Sequence, residues 1–94
     1  MPESTVLSVL SLESVTAEGE VICVVRCIEG NATLGIKFAN RTTSLLTLTR
    51  IEWYGREVEQ LDAVHHGRVT LTGPGAGAIR PGDTLTAAEP NRSI

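Results

Sequence analysis

Catalysis by side chains needs a nucleophile beside its base, paired carboxylates, or ligands converging on a metal. The 94 residues include two cysteines, two histidines and eleven carboxylates, and their spacing builds none of these arrangements. Cys23 and Cys27 lie in the apolar, β-branched run Val21–Ile28. If that run is a strand rising about 3.3 Å per residue, the two thiols share one face roughly 13 Å apart. A disulfide needs Cα atoms within about 7 Å, and zinc ligands must converge more closely still. We therefore expect two buried thiols and no metal. His65 and His66 are adjacent in a polar stretch and are expected on the surface. No Gly-x-x-x-x-Gly-Lys-Ser/Thr occurs, and Gly73–Ala78 carries Gly at alternate positions without a lysine. Nucleotide phosphates would find no cradle there, so GTP binding by this chain is not expected. The chain reads as a non-enzyme without a cofactor.

What remains is recognition. In Leu45–Tyr54, alternation sends Leu45, Thr47, Thr49, Ile51 and Trp53 one way and Arg50 and Glu52 the other. Arg50, Glu52 and Arg56 would then form a polar patch outside the core, or an ordinary solvated face whose opposite charges contribute little. Trp53 and Tyr54 should face opposite ways, one in the core and one, Tyr54, as an exposed contact residue. In Arg68–Thr72, Val69 and Leu71 point inward, which leaves Arg68 and Thr70 outside. The candidate binding residues are thus Arg50, Glu52, Tyr54, Arg56, Arg68 and Thr70.

Positioning them takes strands. Thr5–Leu12 and Glu20–Ile28 read as a hairpin across Ala17-Glu18-Gly19, and Ile36–Ala39 is a brief strand before the turn Asn40-Arg41. Leu45–Tyr54 and Arg68–Thr72 follow, and Thr84–Ala88 closes the series after the turn Arg80-Pro81-Gly82-Asp83. Gly55–His66 places Val58, Leu61 and Val64 every third residue, as a helical turn or as a loop pinned to the core. Gly73–Gly77, with Pro74, excludes a helix or a central strand. Short strands, Gly/Pro turns and no long helical stretch predict an all-β fold, a small closed antiparallel barrel of six strands. It would occupy residues 5–88, between a tail at 1–4 and a tail at 89–94.

Charge narrows the partners. Eight Lys+Arg against eleven Asp+Glu give a net charge of −3, so generic adhesion to duplexes or membranes has no electrostatic support. No apolar run of about 18 residues is present and no basic residue precedes Arg26, so a cytoplasmic location is expected, and Asn31, Asn40 and Asn91 are not expected to carry glycans. If Arg26, Arg50, Arg56 and Arg68 gather on one side, an anionic ligand is favoured; if they interleave with acids, a protein partner is.

The order of these elements resembles domain 2 of the EF-Tu type of translation elongation factors. The likeness runs from the valine-rich first strand through Gly30 and Gly35, the central Ile51-Glu52, and Val69–Gly73 to Ile79-Arg80-Pro81-Gly82-Asp83-Thr84-Leu85. It implies a six-stranded translation-protein barrel, which in the full factors packs beside a GTPase domain and helps hold the aminoacylated 3′ end of tRNA. Glu52 stands where that family faces the terminal adenosine with a Glu. Several neighbours depart from the pattern: Gly55 replaces a basic residue, with Arg56 one further on, Thr70 an apolar one and Val64 a glycine. The resemblance thus implies a stand-alone binding barrel, with a protein as the expected partner and a tRNA or RNA 3′ end as the alternative.

Overall fold

The computed structural model describes residues 5–39 and 45–87. The strands are β1 (Val6–Val15), β2 (Glu20–Glu29), β3 (Asn31–Thr33), β4 (Lys37–Ala39), β5 (Leu45–Trp53), β6 (Arg56–Val58), β7 (Gln60–Asp62), β8 (His66–Thr72) and β9 (Thr84–Ala87). The sheet runs β4-β9-β1-β2-β8-β5, and a further β4–β5 pairing joins its ends. The result is a closed, antiparallel, six-stranded barrel. β6 continues the sheet beyond β5, and β3 and β7 form a separate two-stranded ribbon.

Alternation fills the interior. Leu7 and Val9 from β1, Val21, Cys23, Val25 and Cys27 from β2, Val69 and Leu71 from β8, and Leu85 from β9 are all buried. Phe38 enters from β4, and Leu46, Leu48 and Ile51 from β5. Burying such aliphatic or aromatic side chains is worth about 1.5–3 kcal/mol each. Ala76 and Ile79 add to the core from the segment after β8. That segment contains a 3-10 turn at Ala76–Ala78, one element of helical character where a loop was expected.

β5 departs from simple alternation. Leu48 faces Leu71 and Arg50 faces Thr70, so Thr49 is an extra residue bulging from the ladder. A bulge reverses the phase of the strand. Leu46 and Leu48 therefore point inward, while Leu45 and Thr49 are exposed, contrary to the uniform pattern expected from sequence. After the bulge the expected phase holds: Ile51 is fully buried and Glu52 faces outward. Trp53 leaves with the phase of Ile51, but its side chain is 38% exposed. Neither Trp53 nor Tyr54 fills the core.

Between β5 and β8, the residues at 55–65 form β6, β7 and their turns, not a helical turn. Leu61 is buried and Val58 packs on the core, whereas Val64 is exposed. The expected turn at Asn40-Arg41, the end of the last strand at Ala88 and both tails lie outside the described residues. No helix among the described residues is long and apolar enough to cross a membrane.

The bulge makes a quantitative prediction. Leu48→Ala and Ile51→Ala should each destabilise by about 2–5 kcal/mol through a cavity, despite their opposite parity in sequence. Thr49→Ala, at the bulge between them, should cost less than about 1 kcal/mol. Chemical denaturation followed by far-UV circular dichroism reads all three. Equal losses at Thr49 and Leu48 would mean that β5 runs without a bulge.

Candidate functional site

The outward faces of neighbouring strands carry a ladder of alternating charge. On β5, Arg50 pairs with Glu57 of β6 and lies 3.5 Å from Glu52. Glu52 accepts a hydrogen bond from Arg68 of β8 at 3.1 Å. The Arg68 Nε sits 3.0 Å from Glu13 of β1. The order Glu57, Arg50, Glu52, Arg68, Glu13 thus crosses the barrel wall with each arginine between two carboxylates. Exposed pairs of this kind contribute about 0.2–1 kcal/mol each and weaken with salt. They leave the two guanidinium groups paired with carboxylates.

Beside the middle of the ladder lies a depression of about 250 Å³, whose walls include Glu52, Arg68, Trp53 and Tyr54. Gly67 lies in its lining because nothing larger fits: a Cβ there would stand 2.8 Å from the carbonyl oxygen of Glu52. Trp53 and Tyr54 meet edge to face with centroids 4.9 Å apart. Tyr54 is 82% exposed. Tyr54 and Gly55 form the turn of the β5–β6 hairpin with φ of 54° and 77°. Two consecutive positive φ values match the twist of a two-residue hairpin turn, and they hold the tyrosine ring out into solvent at some backbone cost.

Of the six candidates, the structure brings Arg50, Glu52 and Arg68 into one network and sets Tyr54 at its edge. Arg56 is exposed and pairs in register with Trp53. Thr70, expected outside, is instead buried, flanked across the ladder by Ile22 and Arg50, and its carbonyl oxygen accepts the Thr49 hydroxyl at 3.3 Å. Sequence reasoning missed Glu13, which meets Arg68 across 55 residues of chain. It also missed Gly67, whose role depends on the approach of β5.

Both cysteines are buried and free. Burial, with Glu13 adding to it, pushes the Cys23 thiol up to about 12. Burial also raises Cys27, as does the charge of Asp62, while a backbone hydrogen bond at Ala32 opposes the rise. Thiolate is the nucleophilic form, so neither sulfur is poised for chemistry. Among the described residues, no group of three or more His, Cys, Asp or Glu is placed to hold a metal ion.

No protein-family model and no curated protein matches the chain in sequence. Solved structures do match in shape. GDP-bound aIF5B from Aeropyrum pernix superimposes with a TM-score of 0.76 at 17% identity, over 96% of this chain and 16% of that one. The apo form of translation elongation factor SelB from Methanococcus maripaludis gives 0.78 at 13% identity, over 88% of this chain and 18% of its own. The bacterial selenocysteine-specific elongation factor EF-Sec gives 0.66 at 20%, over 88% of this chain and 14% of its own. The fold is that of a translation-factor barrel of the EF-Tu domain 2 kind. This translation-factor-like module spans less than a fifth of the length of each of these proteins.

The raised Cys23 thiol sets a pH dependence. A group that resists ionisation in the folded state stabilises fully below its unfolded value near 9, and that contribution is lost as pH rises toward about 12. Wild-type stability should therefore fall more steeply than that of Cys23→Ala between pH 9 and 11, as read by urea midpoints. The native thiols should also resist alkylation at pH 8. Parallel curves for the two proteins would show that Cys23 ionises freely in the fold.

Proposed function

We propose that this barrel is a non-catalytic binding module of the cytoplasm that docks a protein partner on the wall formed by β5, β6 and β8. One observation carries the reading: the guanidinium groups of Arg50 and Arg68 are spent on Glu13, Glu52 and Glu57, while Tyr54 and Trp53 stand exposed beside them. A nucleic-acid interface relies on cations left free for phosphates. A polar wall whose arginines are already paired with acids, with a protruding aromatic residue, has the makeup of a protein interface, where Tyr, Trp and Arg dominate the binding energy. Glu52, Arg68 and Tyr54 would make the central contacts, with Arg50 and Arg56 at the rim and Thr70 behind them.

A second reading, an RNA 3′ end held at Glu52, draws on the flat aromatic walls beside that carboxylate, which suit an unstacked base. Pull-down of tagged protein from its own lysate, with and without nuclease, separates the two. Asparagine accepts a positive φ, so Tyr54→Asn removes the ring and keeps the turn. We expect one protein to survive nuclease and to be retained at least tenfold less by Tyr54→Asn. Nuclease-sensitive recovery of tRNA would overturn the protein-partner reading in favour of the second.

A further inference from the structure

Trp53 also walls a second, smaller cleft of about 70 Å³, on the side of β7, completed by Gln60, Leu61, Asp62 and His65. Leu61 is buried and gives the cleft an apolar contribution, and the indole meets the His65 ring edge to face at 5.5 Å. Asp62 brings a carboxylate whose Oδ1 accepts the Gln60 amide at 2.6 Å.

The two carboxylates beside Trp53 differ in one respect. Glu52 is held by two arginines, whereas among the described residues no lysine, arginine or histidine forms an ion pair with Asp62. An exposed carboxylate without a cation, set against an indole in a small cleft, attracts a cationic group through charge and through the ring quadrupole together. The net charge of −3 favours the same sign of ligand.

We propose that the cleft formed by Trp53, Asp62, Gln60 and His65 takes the cationic tip of an arginine or lysine side chain. This rests on the protein-partner reading, since it assigns that side chain to the docked partner. The head group stacks on the indole, donates to the Asp62 carboxylate and turns its remaining donor toward the Gln60 amide oxygen. Trp53 lines both the depression bordered by Tyr54 and this cleft, so a partner gripping Tyr54 has the cleft within reach.

The test uses the whole chain and a defined probe. Titration with N-acetylarginine amide, followed by ¹H–¹⁵N spectra, should shift the Trp53 indole and Gln60 side-chain signals saturably. N-acetylcitrulline amide, isosteric but neutral, should bind at least tenfold more weakly. Asp62→Asn should weaken the arginine probe at least tenfold, and Glu18→Gln, in the exposed turn between β1 and β2, should leave it within twofold. Equal binding of the citrulline probe, or an unchanged affinity in Asp62→Asn, overturns the cation site. Retention of the partner by Asp62→Asn, together with its loss from Tyr54→Asn, does so too while sparing the protein-partner reading. Arginine-selective binding without any captured partner supports the cleft and overturns that reading instead.

Discussion

A six-stranded antiparallel sheet of this length has two edges, each a row of unpaired backbone donors and acceptors. Here a three-residue strand removes both. β4 pairs with β5 through Phe38 and Leu46 and with β9 through Ala39 and Thr86. Closure turns the inward faces of all six strands into one compartment, which Phe38, Leu46 and the aliphatic residues of β1, β2, β8 and β9 fill. Without β4 the same residues would line an open sheet with one face exposed to water. The burial that stabilises the chain follows from these two pairings of β4.

Closure also fixes what lies outside. Once the core side of β5, β8 and β2 is set, Arg50, Glu52 and Arg68 must share the outer wall, and the extra residue at Thr49 puts Ile51 inside and Glu52 outside. The buried residues of β5 end at Ile51 while the strand continues to Trp53, so its last side chains lie at the surface. Trp53 and Tyr54 are exposed there, and the two clefts lie beside the indole. The ladder from Glu57 to Glu13 spans β6, β5 and β8 and reaches β1 across the intervening β2.

Much of this was written in the chain where the cause is local. The strict alternation of Val21, Cys23, Val25 and Cys27 gave away β2, and all four are buried. The turn at Arg80–Asp83 is likewise local: the Asp83 carboxylate accepts the Arg80 amide at 2.9 Å. The bulge at Thr49 was not legible, because a bulge exists only relative to a partner strand and leaves no fixed mark on composition. β6 and β7 were missed because three-residue strands owe their form to β5 and β3 rather than to their own periodicity. Of the site, Glu52 and its neighbours on β5 and β8 could be found by alternation. Glu13, Gly67 and Asp62 became relevant only through contacts across the fold.

The most direct measurement is a long-range nuclear Overhauser map of β4 in isotopically labelled protein. A closed barrel gives contacts from Phe38 to Leu46 on one side and from Ala39 to Thr86 on the other, in the same species. Contacts from β4 to only one neighbour would mean an open sheet, and the barrel, its wall and the site built on it would have to be redrawn.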